Sequence, residues 1–210
     1  MKLMVIFAIM ALLPLFSCTV AEEYIDVTDS TTGITSPVLK TVLVWEDKGY
    51  HLYLNGSYEL AIKCYDKAIE LDPSYTGTWV RKGWCLDALG RYDEALDAFD
   101  SATELNPLIP IWQKKGVILL DQGKYNEGLA ALNMAVEQNP KDHYAWSDKG
   151  RAFGLLGAYN ESISAFDEAI RLDPNYAEAW HFKGVTLKAL GRNEEANAAF
   201  AKAKELGYVG

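Results

Sequence analysis

Tryptophan recurs along this chain at a nearly fixed interval: Trp45, Trp79, Trp112, Trp146 and Trp180 stand 34, 33, 34 and 34 residues apart. Self-similarity at such a period marks a repeat architecture, in which each unit must bury its apolar face against the next. Other columns keep step. Four residues after each Trp comes Gly49, Gly83, Gly116, Gly150 or Gly184, and seven further on Gly56, Gly90, Gly123, Gly157 or Gly191. A small residue follows (Ala61, Ala95, Gly128, Ser162, Ala196), then a large apolar one (Tyr65, Phe99, Leu132, Phe166, Phe200), then Ala68, Ala102, Ala135, Ala169 or Ala203. Pro73, Pro107, Pro140 and Pro174 close the units.

Each column has a physical reason. Trp, the first Gly and the apolar residue three beyond it are spaced i, i+4, i+7, one face of a helix. A helical glycine costs about 1 kcal/mol of propensity, so the first Gly is expected where two helix backbones approach closely, opposite the small residue of a second helix. The second Gly stands where the first helix must end and supplies a left-handed C-cap. Small, large and Ala columns again run i, i+4, i+7, giving the second helix its own stripe, and Pro forbids continuation. The third unit departs from its siblings: it carries Gly128 and Leu132 and has one residue fewer between Pro107 and Trp112, so its second helix is expected to be the weakest. Lys48, Lys82, Lys115, Lys149 and Lys183 precede the first glycines, and their stems are expected along apolar surface with the ammoniums in water.

Trp, Gly, a small residue, an aromatic, Ala and Pro in that order resemble the tetratricopeptide repeat over residues 42–210. The resemblance implies an all-α fold, a right-handed α-solenoid of five helix-turn-helix repeats at about 42–75, 76–108, 109–142, 143–176 and 177–210. It implies no cofactor, and a concave groove lined by first helices that receives an extended peptide or a partner helix. The positions just after the Trp, just after the first Gly and three beyond form the line facing away from the core. Candidate groove residues are therefore Glu46, Tyr50, Tyr53, Val80, Trp84, Asp87, Val117, Arg151 and His181. Aromatic anchors such as Tyr50, Tyr53 and Trp84 commonly dominate interface energies; packing between adjacent first helices is the other reading of Trp84. Some family members bind chaperone carboxyl termini through a Lys, Arg and Asn clamp. Tyr50, Trp84 and Val117 stand where that clamp needs polar residues, so the activity is not carried over.

The N-terminus reads as an address. Leu3 to Phe16 is uninterrupted apolar after a single Lys2, short of the about 20 residues of a bilayer span. Residues 1–21 are a signal peptide or N-terminal anchor: Thr19-Val20-Ala21 offers a cleavage site, and Leu15-Phe16-Ser17-Cys18 resembles a lipobox in which Cys18 would be lipidated, with Phe16 bulkier than usual. Either way the rest of the chain is expected outside the cytoplasm, membrane-tethered or secreted. Residues 22–41, rich in Thr, Ser and Asp, read as a linker. Asn55-Gly56-Ser57 and Asn160-Glu161-Ser162 fit the glycosylation acceptor pattern.

Charge and chemistry narrow the function. A net charge of −9 repels phosphate backbones, so nucleic acid is not an expected partner, and contact with membrane is expected through the N-terminal segment alone. Cys18, Cys64 and Cys85 share no CxxC spacing, and His51, His143 and His181 lie far apart, so no metal site is legible; Cys64 and Cys85 are expected as separate buried thiols. No nucleophile–base or metal-ligand motif appears. The expected function is a non-catalytic scaffold or adaptor that holds a protein or peptide partner. Two alternatives stay open: an accessory presenting a peptide or glycan to an envelope enzyme, and a structural surface protein that assembles with itself.

Overall fold

The computed structural model describes residues 37–209; the segment 1–21 with Cys18 and most of the 22–41 linker lie outside the described residues. Among the described residues all ten elements are α-helices. The chain packs as two compact units, one up to Arg91 and one from Tyr92 onward.

The first unit contains α1 (Pro37–Leu54), α2 (Tyr58–Leu71) and α3 (Thr76–Ala88). The hairpin between α1 and α2 closes where Gly56 adopts φ +72°, with Ser57 N–H donating to the Leu52 carbonyl and Gly56 N–H to that of Tyr53, both at 2.9 Å. This is the left-handed cap the sequence predicts. Tyr65, Ala61 and Ala68 of α2 are fully buried, and so are Cys64 and Cys85, which are free thiols. Burial pushes the Cys85 thiol up to about 12, which leaves it protonated and unreactive at neutral pH.

The second unit contains α4 (Tyr92–Leu105), α5 (Trp112–Asp121), α6 (Tyr125–Gln138), α7 (His143–Leu155), α8 (Tyr159–Leu172), α9 (Ala177–Ala189) and α10 (Asn193–Glu205). Consecutive helices from α5 to α10 pack as antiparallel neighbours, and α5 also touches α7, and α7 touches α9, so these three form a row. The irregularity of the third repeat falls on its first helix. α5 starts at Trp112 itself, whereas α7 and α9 start three residues before Trp146 and Trp180. Its second helix, α6, keeps the same 14 residues as α8.

Two columns do more than periodicity implies. Between units of the repeat, Asp72, Asn106 and Asp173 turn the chain by accepting the N–H two residues on, at 2.9, 3.0 and 2.9 Å. The Trp indole N–H then donates to the carbonyl of the preceding Pro: Trp79 to Pro73 at 2.8 Å, Trp112 to Pro107 at 3.2 Å, Trp146 to Pro140 and Trp180 to Pro174 at 3.0 Å. Pro thus ends one helix and offers the acceptor that seats the next.

The close approach at the first Gly is made chiefly by the large residue of the second helix. A Cβ at Gly49 would meet the Tyr65 ring at 2.6 Å, at Gly150 the Phe166 ring at 2.8 Å, and at Gly184 the Phe200 ring at 2.7 Å. At Gly116 it would meet Leu132 at 2.5 Å and also the Gly128 carbonyl at 3.2 Å, the one of these four where backbone is involved. A ring lying flat on a helix needs bare backbone beneath it, which is why the expected small-residue counterpart is only part of the reason.

Candidate functional site

First helices carry the candidate line, and the structure divides it by depth. Positions directly after the Trp lie under the surface: Glu46 is 2% exposed, and Val80 and Ser147 are buried. They are covered because the neighbouring first helix packs against them. In the first unit Glu46 of α1 forms an ion pair with Arg81 of α3, whose guanidinium also lies 5.6 Å from the centre of the Tyr50 ring. In the second unit Gln113 of α5 donates to Asp148 of α7 at 2.9 Å. Both rungs join residues 35 apart, one more than the repeat.

Positions after the first Gly emerge from the surface. Tyr50 is 43% exposed and Trp84 is 41% exposed, both in the first unit. In the second unit Val117 and Arg151 are half-buried, whereas Val185, which the sequence reading did not single out, is 46% exposed. Three residues on, Tyr53 is half-buried with its ring 5.6 Å from that of Tyr58, and Asp87 is half-buried. His181 is covered at the chain's end, where Tyr208 stacks on its ring at 4.1 Å. The line thus outcrops at Tyr50 and Trp84 in the first unit and at Val185 in the second, while Glu46, Val80 and Ser147 are buried where first helices pack.

Charges near this line are compensated. Arg151 donates to Asp148 at 3.0 Å and lies 5.6 Å from the Phe182 ring centre. Burial holds the Asp148 carboxyl above its ordinary range in spite of Gln113 and Arg151, which pull it down. On the side facing the second helices, the five lysines before the first Gly each lie over the Trp three residues earlier, at 5.1, 5.7, 4.7, 4.8 and 5.5 Å. Lys82 meets Asp66 at 2.7 Å, Lys183 meets Asp167 at 2.5 Å, and Lys115 pairs with Asp100. Lys115 is only 8% exposed, so its ammonium is held by an indole and a carboxylate instead of lying in water as expected.

Among the described residues no group of three or more His, Cys, Asp or Glu comes together as metal ligands, and no helix is long and apolar enough to cross a membrane. Asn55 and Asn160 are both exposed, and Ser162 of the second acceptor pattern is buried, donating to the Gly150 carbonyl at 2.8 Å.

A comparison with curated proteins gives no match. Among solved structures, residues 41 to the end of MamA from Desulfovibrio magneticus RS-1 superpose with a TM-score of 0.76 at 23% identity, covering 79% of this chain and 94% of that one. Another structure of MamA protein superposes with a TM-score of 0.75 at 21% identity, covering 80% and 92%. YrrB, a TPR protein with an unusual peptide-binding site, superposes with a TM-score of 0.70 at 25% identity, covering 82% of this chain and 93% of that one. The tetratricopeptide-repeat model matches residues 46–108, 114–177 and 156–207. With ten helices among the described residues in the spacing that the columns dictate, the chain belongs to the tetratricopeptide-repeat family and is an all-α solenoid of such repeats.

Proposed function

We propose that the chain is a non-catalytic interaction scaffold, directed outside the cytoplasm by its N-terminal segment and there membrane-tethered or secreted, that captures a peptide or helix of a partner protein on its first helices. The observation that carries this reading is the outcropping of large apolar side chains at one repeat position, Tyr50, Trp84 and Val185, each more than two-fifths exposed. A fold that needs only its core gains nothing by placing Trp and Tyr there, whereas an interface gains much contact area from such rigid side chains. The peptide-binding site that names YrrB, a protein of the same fold, supports a peptide as the occupant.

Trp84→Ala tests it. Retention of the partner in a pull-down from membranes should fall by about tenfold or more, with the melting temperature moved by less than about 3 °C, because an exposed side chain contributes little to the fold. Undiminished capture would refute the interface, and a large loss of helicity would assign Trp84 to the core. Export is tested on the same preparation by the intact mass. A chain beginning at Glu22, or at a lipidated Cys18, supports it, and an unmodified full-length chain recovered in the cytoplasm refutes it.

A further inference from the structure

Gly154 occupies, in α7, the line position held elsewhere by Tyr53, Asp87, Leu120 and Lys188. Neither backbone nor packing asks for a glycine there. Its conformation is helical, and a Cβ would meet nothing closer than the Ser162 hydroxyl at 3.4 Å and the Thr186 hydroxyl at 3.9 Å, ordinary contacts. Glycine nevertheless weakens a helix interior. Gly154 lines a cavity of about 410 Å³ bounded by α7, α8 and α9. Phe166 floors it, Leu155, Phe182 and Val185 wall it, and Arg151 stands at its edge.

The chemistry selects the occupant. The volume lies near the lower end of the roughly 300–1,000 Å³ of ligand pockets, which suits one bulky side chain and its own backbone. The walls are apolar, and Leu155 and Val185 are about half exposed, so a bulky apolar side chain would cover surface that water now touches. Arg151 adds no net attraction for an anion, because its guanidinium is bound to Asp148 at 3.0 Å and the chain carries −9 overall. A guanidinium has five N–H donors, and those turned from Asp148 suit a neutral acceptor.

We propose that this cavity is the anchor subsite of the capturing surface: it takes one bulky, uncharged apolar side chain of an extended partner segment, while Arg151 donates to that segment's backbone carbonyl. The proposal rests on the reading of the first helices as a peptide-binding surface and names which residue of the peptide is gripped.

The test is an amide-shift titration of the full chain with N-acetyl-phenylalanine amide, N-acetyl-alanine amide and N-acetyl-phenylalanine carboxylate. The phenylalanine amide should produce saturable shifts at Gly150, Gly154 and Val185, the alanine amide should bind at least about tenfold more weakly, and the carboxylate should bind no tighter than the amide. Gly154→Leu fills the cavity with a better helix former, so it should fold at least as stably and lose about tenfold or more of the phenylalanine affinity. Arg151→Met, which keeps the stem, should lose about threefold to tenfold, as expected for one hydrogen bond. Shifts absent from the cavity, undiminished binding by a folded Gly154→Leu, or a carboxylate bound tenfold tighter would overturn it. If Gly154→Leu binds the probe normally while Trp84→Ala loses the partner, the surface stands and this subsite falls. If Trp84→Ala and Gly154→Leu both keep the partner, the capturing surface itself falls.

Discussion

The third and fourth hairpins sit side by side in the second unit and close in different ways. In the fourth, the Phe166 ring covers Gly150 and the Ser162 hydroxyl donates to the Gly150 carbonyl and lies 3.2 Å from Thr186 of α9. In the third, Gly128 replaces the hydroxyl and Leu132 the ring, and the backbones come close enough that a Cβ on Gly128 would stand 3.1 Å from the Gly116 carbonyl. The step beyond each differs too. Lys183 after the fourth hairpin has Asp167, whereas Lys149 after the third finds Asn133 in that column and rests on Trp146 and Phe153, at 4.8 and 5.9 Å. Burial of this ammonium depresses its proton affinity. The pair teaches that one hairpin geometry admits two closures, and that the residues of each closure are matched sets that do not exchange singly.

The largest expected effect separates the two cores. Phe166→Ala should cost about 4 kcal/mol and Leu132→Ala about 3 kcal/mol in denaturant unfolding, since both side chains are essentially fully buried but the ring fills more space. Equal costs would mean that the third closure depends on Leu132 as heavily as the fourth does on its ring. Next comes a swap: Gly128→Ser, which copies the fourth hairpin's hydroxyl into the third, should destabilise by about 2 kcal/mol, because its Cβ meets Leu120 at 2.8 Å and backbone at 3.1 Å. A neutral result would show that the two sets do exchange. Asn133→Asp gives Lys149 the carboxylate its siblings have and should gain about 0.5 kcal/mol at low salt, the gain fading in 1 M salt.

The last prediction is one of sign. Asp148 has a folded-state pKa above its unfolded one, so the folded chain takes up that proton first and its stability is favoured as pH falls between the two values. Asp148→Asn lacks this contribution. The difference in melting temperature between wild type and variant should therefore move toward the wild type as pH is lowered from about 7 to about 4, and a shift in the opposite direction would contradict the burial assigned to Asp148.

What the sequence made legible was whatever repeats within one hairpin. The Trp, Gly and Pro columns place ten helices, and Gly56 and Gly157 take the left-handed caps at φ +72° and +77°. What it hid were pairings that cross from one repeat to the next. The ion pair of Lys82 with Asp66 and the rung from Gln113 to Asp148 need a neighbouring helix to bring the partners together, and no period of 34 announces them. Depth was hidden for the same reason. Glu46 and Tyr50 share a helical face, yet α3 buries the first and leaves the second in solvent. At Gly154 the line position carries no side chain, and that it borders an open cavity shows only once α7, α8 and α9 are packed.

Capture of a protein by the first helices is tested most directly by photo-crosslinking in the producing cells. A photoreactive amino acid replaces either Trp84 or Val185 on first helices, or Leu60 or Met134, which are similarly exposed on second helices. The account predicts discrete adducts with one partner from positions 84 and 185 and none from 60 and 134. Adducts of equal yield from both sets, or from the second helices alone, would contradict it.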